Sequence, residues 1–308
     1  MTTDIHEKAA IARLKAEQEA GLRGGESLMT KAFRRLRRDR LTMTALIIMS
    51  LLTLAAICAP LITDLVLHVD PNSTEYDQLM PIGTPGHLLG TDDLGRDLLA
   101  RLLHAGRISL TIGFLGATIT LAIGLLLGMV MGYYGGWVDD TLNWLITTLD
   151  SLPTIYLLII VSALFRPSPE ALILVLAFTG WTGATRLVRG QTISLRERDY
   201  ILSARSIGST SWHIMIVHIL PNLISVTAIS LASGIGGLIL AESALSFLSL
   251  GVQPPTATWG NMLSKAQNFF NRGVHMAIVP GVTIFVTVLC LYVIGDGVRD
   301  AFDPTTSE

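Results

Sequence analysis

Asp150 and Glu242 are the two acids of this chain nearest the interiors of long uncharged runs. Burying an unpaired carboxylate in an apolar setting is expensive, so an acid at that depth is a functional candidate by default. Two roles stand side by side for each: a structural or interfacial group at the end of a membrane span, or a station along a solute path. The usual catalytic constellations are missing. A phosphate-binding loop needs glycine-wrapped backbone N–H groups followed by Gly-Lys-Ser/Thr, yet none of Lys8, Lys15, Lys31 and Lys265 follows a glycine. There is no His-Glu-x-x-His zinc helix and no Gly-x-Ser-x-Gly nucleophile elbow. Among the seven histidines, His213 and His218 come closest to a pair, but they stand one residue too far apart for an i, i+4 couple on an α-helix. Cys58 and Cys290 lie in apolar runs and read as small buried hydrophobes. The expectation is a non-enzymatic chain with no catalytic residues, no metal, no bound cofactor and no nucleic-acid partner.

The other concentration of chemistry is cationic. Arg186–Asn222 carries Arg186, Arg189, Arg196, Arg198 and Arg205 against only Glu197 and Asp199, and apolar runs flank it on both sides. A polar, helix-compatible segment of that length between apolar runs predicts a surface against which a soluble partner presses. Arg198 to Ile207 has the spacing of a short helix, and Gly208 suits the left-handed residue that ends one. Pro221 is placed to be tolerated in the first turn of the next helix or to kink it.

The elements that carry these residues are spans of a bilayer. Half of the 308 residues are hydrophobic and only 15% are charged, where a soluble domain carries about 25%; mean hydropathy is +0.55. Residues 1–40 form a polar cytoplasmic tail closing on the basic cluster Lys31–Arg40, and no cleavable signal is visible in it. Residues 41–63 are uncharged and long enough for a first spanning helix. Residues 64–107 form an external segment, Pro-rich and then leucine-rich. There, Leu94, Leu98, Leu99, Leu102 and Leu103 predict an amphipathic helix at the interface. Residues 108–300 hold the remaining spans: one within Ile108–Val138, then Thr141–Phe165, one beginning at Ala171–Thr185, Leu223–Leu240 and Ala277–Ile294. The cytoplasmic loop at 186–221 interrupts them, and residues 301–308 are a C-terminal tail. The class is an all-α membrane protein of about six transmembrane helices with both termini cytoplasmic. Sixteen of the 22 lysines and arginines then fall inside, as the positive-inside bias requires; Arg96, Arg101 and Arg107 run against it. Gly124, Gly128 and Gly132 share one helix face, the spacing that lets two helix backbones approach in a membrane.

Five blocks carry a family resemblance. HLLGTDDLGRDLLARLLHAGRISL, GYYGGWVDDTLNWLITTLDSLP, SFLSLGVQPPTATWGNML and GDGVRDAFDP, in that order, resemble blocks of the permease subunits of ATP-binding-cassette importers for peptides and nickel. YILSARSIGSTSWHIMIVHILPN resembles their cytoplasmic EAA loop, on which Ala204, Gly208, Leu220 and Pro221 fall. The glutamate position of that loop is Leu202 here, and its first alanine is Ser203. The resemblance implies a type I importer permease fold in the prokaryotic cytoplasmic membrane. It implies a second homologous permease, two ATPase subunits that bind the ATP and Mg, and an extracytoplasmic solute-binding protein. It further implies that the loop forms a coupling helix docked on an ATPase, with Tyr200, Ile201 and Ala204 as its apolar contacts and Arg198 and Arg205 as the polar rim. Di- and oligopeptides are the expected cargo; nickel, glutathione or another small solute is the alternative, and a secondary transporter or channel a distant one.

Overall fold

The computed structural model describes residues 28–153, 156–157, 159–160, 168–269 and 271–302. Among them every regular element is helical, and extended pairing is confined to two isolated bridges, Thr84–His87 and Thr91–Asp97. The basic cluster lies on α1 (Leu28–Arg38), and α2 (Arg40–Ile57) follows at once. Asp39 separates the two by capping α2: its carboxylate accepts the Leu41 N–H at 3.1 Å and the Thr42 hydroxyl. The remaining helices of eight or more residues are α3 (Leu98–Tyr134), α4 (Gly136–Asp150), α5 (Pro169–Arg196), α6 (Asp199–Ser206), α7 (Leu220–Phe247), α8 (Trp259–Phe269) and α9 (His275–Phe302).

Of the described helices, α2, α3, α5, α7 and α9 are long and apolar enough to cross a membrane. α2 buries only Thr42, Ala45 and Ala56 and leaves Ile47, Leu51 and Leu54 uncovered. A helix apolar on all sides but buried on one is in lipid. The expected span Thr141–Phe165 begins on α4 and then runs largely outside the described residues, as do most of the N-terminal tail and the end of the C-terminal one.

The outer segment corrects the expected interfacial helix. Helix begins only at Leu98 and then continues without a break through the apolar run, for 37 residues. At 1.5 Å per residue that is about 55 Å, well beyond the ~30 Å hydrocarbon core, so the leucine-rich turns are the outer end of α3. Leu94 lies outside it, in a loop. Two glycines hold that loop: a Cβ on Gly90 or Gly95 would lie 2.1 Å from the carbonyl oxygen of Met80 or Tyr76, and both have φ near +78°. Asp97 then starts the helix by accepting the Ala100 N–H at 2.7 Å.

α3 is the axis of the fold, and the expected glycine face is its inner half. A Cβ on Gly124, Gly128 or Gly132 would come within 2.4–2.6 Å of Ala184, Thr185 or Thr192, respectively, on α5. Gly113 and Gly116 meet Ile239 and Leu238 of α7 in the same way, and Gly106 lies under the Trp259 ring. Small residues thus bring α3 into backbone contact with α5 near the cytoplasm, and close against α7 and the Trp259 ring of α8 toward the outside.

Candidate functional site

Most of the cationic stretch is helix. α5 runs to Arg196, and helix resumes at Ser211 under a cap in which the Thr210 hydroxyl accepts the His213 N–H. Only residues 197–210 join the two, with α6 in the middle. Between Ser211–His213 and α7 the chain widens into a π-helical stretch, Ile214–Ile219. That widening precedes Pro221, whose ring would crowd the carbonyl four residues back in a continuous α-helix. It also corrects the histidine spacing: in a π turn residues five apart share a face, and the His213 and His218 rings lie 5.8 Å apart, with Tyr200 6.5 Å from His218.

α6 is two-sided. Ile201 (0% exposed) and Ala204 face inward, packed with Tyr133, Val188, Ile214 and Met215. They anchor the helix, so the expected outward apolar contact from these two is not available. Tyr200 does point outward, as does Leu202 at the loop's glutamate position, joined by two residues the sequence reading did not single out, Ile207 (84% exposed) and Trp212. No spacing in the sequence signalled them: Ile207, three residues beyond Ala204, would share its buried face in a continued helix, but it lies past the end of α6. Arg198 is exposed at the N-terminal end, and the Arg205 guanidinium lies 5.5 Å over the Tyr133 ring. Leu220 packs against the same inner cluster, while Pro221 is exposed. Gly208 has φ +86°, as expected of the residue that ends the helix; its N–H donates to Arg205 O, and the Ser209 N–H donates to Ala204 O.

Two arginines lock this end to the bundle. Arg189 donates twice to the Asp139 carboxylate at 2.5 Å, tying α5 to α4. The Arg196 guanidinium donates to Tyr133 O at 3.2 Å, satisfying a carbonyl at the end of α3.

The two candidate acids part company. Asp150, at the end of α4, pairs with Arg186 of α5 at 2.5 Å, and about a third of its side chain and half of the arginine's stay uncovered. Glu242 of α7 is wholly buried. The Ser246 hydroxyl donates to its Oε1 at 2.7 Å and the Ser109 hydroxyl of α3 to its Oε2 at 3.4 Å. Ser109 Oγ in turn accepts the Trp259 N–H at the start of α8. Gly260 lets that helix end press on the carboxylate: a Cβ there would be 2.6 Å from Ser243 Cα and 3.2 Å from Glu242 Oε1. A helix N-terminus favours a nearby anion. Burial and hydrogen bonding favour the structural role for Glu242.

A second polar knot stiffens the outer segment. Asp92 holds Arg96 through Nε (2.7 Å) and Nη2 (2.6 Å), with Arg101 Nε at 3.7 Å. His87 pairs with Asp97 at 2.8 Å, and His275 of α9 bonds Thr91 O at 2.9 Å. Arg96 and Arg101, which ran against the charge bias, are therefore buried partners of carboxylates rather than free cations.

Residues 124–308 match the family described as the inner membrane component of binding-protein-dependent transport systems, and residues 27–81 match the N-terminal transmembrane domain of oligopeptide transport permease C. The dipeptide transport system permease protein of Alkalihalophilus pseudofirmus is 36% identical over 279 residues, covering 89% of each chain. The glutathione transport system permease protein of Pectobacterium atrosepticum is 40% identical over 233 residues, 76% of this chain and 77% of that one. The oligopeptide transport system permease protein of Mycobacterium bovis is 35% identical over 283 residues, 91% of this chain and 96% of that one.

Proposed function

Proceeding from the fact that this chain belongs to the inner membrane components of binding-protein-dependent transport systems, we propose that it is the permease subunit of an importer for small peptides. Di-, tri- and oligopeptides, glutathione included, form the substrate class that the names of its relatives support. ATP and Mg are bound by separate ATPase subunits, and work reaches this chain through α6 and the residues after it.

The observation that carries the proposal is the division of α6. Its inward residues, Ile201 and Ala204, are fixed in the core. Tyr200, Leu202, Ile207 and Trp212 form an uncovered apolar surface on the cytoplasmic side, with Arg198 beside it. A contact that transmits force without dissociating needs a desolvated apolar centre and a charged rim, and this surface supplies both. Leu202, standing where the related loop has glutamate, makes the centre more apolar.

The Asp150–Arg186 pair supports a second permease chain. A partly uncovered ion pair on helices α4 and α5 is costly against lipid; a partner permease and a wetted path between the two chains remove that cost. Outside, the loops braced by Asp92, Asp97 and Glu242 form a firm platform for a solute-binding protein.

The test is the double variant Ile207→Asp, Trp212→Asp in the assembled transporter. Expected are at least a tenfold fall in the ATPase that co-purifies and loss of labelled-dipeptide uptake, with the chain still in the membrane. Wild-type ATPase retention would reject α6 and Trp212 as the docking surface. Uptake of dipeptide, tripeptide and glutathione compared side by side ranks the cargo.

A further inference from the structure

Arg107 is the last charged residue before the uncharged run Ile108–Val138. Unlike Arg96 and Arg101, it is exposed and has no ion-pair partner among the described residues. Two cavities meet at it. One, of about 250 Å³, faces the outer solution and has a mixed lining, with Asn72, Arg101, His104, Thr256 and Arg107 beside Pro71, Ile108, Pro255 and Ala257. The other, of about 480 Å³, is an apolar groove between α2 and α3, walled by Met49, Thr53 and Ile57 on one side and Leu110, Phe114 and Leu115 on the other. Its floor is Ile235 of α7 and Leu291 of α9.

The groove has a depth in the membrane. α2 climbs from cytoplasmic Arg40, so Ile57 is near the outer interface and Met49 near the middle; α3 descends from outside. Arg107 to Leu115 is eight residues, about 12 Å along the helix, close to the ~15 Å of one leaflet's hydrocarbon. The groove therefore begins at the level of phosphates and ends near the bilayer centre. Neither cavity has an aspartate or glutamate in its lining. Arg101 shares its charge with Asp92, so Arg107 supplies the free one. A guanidinium is shaped for a phosphate's oxygens.

We propose that Arg107 and the two cavities form a binding site for an anionic glycerophospholipid of the outer leaflet, with an acyl chain in the α2–α3 groove, the phosphate at Arg107 and the headgroup in the outer cavity, toward Asn72, His104 and Thr256. The bound lipid wedges α2, the most weakly covered span, against the bundle. A second permease chain laid over the groove would leave Arg107 without compensation unless it brought an acid to that spot; a lipid phosphate brings the charge itself.

The assembled transporter in nanodiscs of phosphatidylcholine with phosphatidylglycerol, delipidated stepwise, tests this by mass spectrometry of the retained lipid. Wild type is expected to retain phosphatidylglycerol in preference to phosphatidylcholine. Arg107→Gln should lower that preference about fivefold, the equivalent of ~1 kcal/mol for one interfacial cation, and Arg107→Lys should keep it. Thr53→Trp, which fills the groove, should lower retention of both lipids. An unchanged preference in Arg107→Gln overturns the proposal. So does displacement of the lipid by millimolar inorganic phosphate alone, which would make the ligand a soluble phosphoryl group. Efficient crosslinking of Thr53→Cys to the second permease chain overturns it as well, since a helix would then occupy the groove.

Discussion

Replacing Glu242 separates bracing from transport. Glu242→Ala removes the acceptor of the Ser246 and Ser109 hydroxyls, and each buried hydroxyl left without a partner costs about 1 kcal/mol or more. The lost side chain also opens a void under Gly260 and Trp259, where the packing leaves no room to close. The total is about 3 kcal/mol. Glu242→Gln has the same shape. Its carbonyl keeps one hydroxyl, and its amide donates to the other, whose oxygen has a lone pair to spare beside the Trp259 N–H; the cost is under ~1 kcal/mol. The assay is the rate of proteolysis within residues 248–258 of the assembled transporter, together with peptide uptake. A 3 kcal/mol loss raises the opening of that segment about 150-fold where opening is rapid. The alanine variant should therefore be cut far faster and transport poorly, while the glutamine variant should be near wild type in both. An alanine variant cut at the wild-type rate would refute the bracing role. A glutamine variant with wild-type resistance but uptake down tenfold would put Glu242 on the solute path instead.

Gly208 has φ +86° with open space around its missing Cβ, so Gly208→Val meets strain rather than a clash, about 1–2 kcal/mol or more for a β-branched residue; uptake should fall to background with the chain still in the membrane, Gly208→Asn should be milder, and normal uptake by the valine variant would sink the coupling role of α6. Gly128→Val drives a Cβ to 2.6 Å from the Thr185 backbone oxygen and should cost about 1–3 kcal/mol by overpacking, read as a lower unfolding temperature, whereas Gly190→Ala enters open space and should be neutral or stabilising by up to ~1 kcal/mol. Asp39→Ala should lower stability by about 1 kcal/mol through loss of the α2 cap. The Thr42 hydroxyl holds the Asp39 carboxyl below the ordinary aspartate range, so this contribution is complete above the ordinary value and vanishes as pH falls through the lowered one; the gap between wild type and variant should close on acidification.

What was legible in the sequence is what a bilayer writes into composition. The uncharged runs located α2, α3, α5, α7 and α9, and the four-residue spacing of Gly124, Gly128 and Gly132 located the face that meets α5. The left-handed Gly208 was legible because one residue type suits that backbone. What was not legible depends on distant partners. The leucine pattern around Leu94 and Leu98 continues across Gly95, but Met80, Tyr76 and Asp97 decide where helix starts. Ile201 and Ala204 turn inward because Tyr133 and Ile214 stand beneath them, and eight residues are too few for a hydrophobic face to declare itself. The His213–His218 pairing assumed α-helical spacing, and a π turn replaced it. Ser109, which holds Glu242, is 133 residues away in sequence.

If α6 docks an ATPase as proposed, one helix, α3, links that contact to the outer segment. Tyr133, near the inner end of α3, takes the Arg196 bond on its carbonyl, the Arg205 guanidinium over its ring and the packing of Ile201. Near the outer end of α3, Leu102 O accepts the Trp259 indole N–H and Ser109 holds Glu242. Between them α3 is unbroken and packed closely on α5 and α7 at its glycines, a continuous connection along which a displacement at one end can reach the other. On the proposed function, a displacement at α6 is passed along α3 to the outer platform. Loosening the outer end alone, as Glu242→Ala does, should leave the ATPase bound and hydrolysing while uncoupling hydrolysis from uptake. Equal loss of ATPase activity and uptake in that variant would mean that the two ends of α3 are not joined in this way.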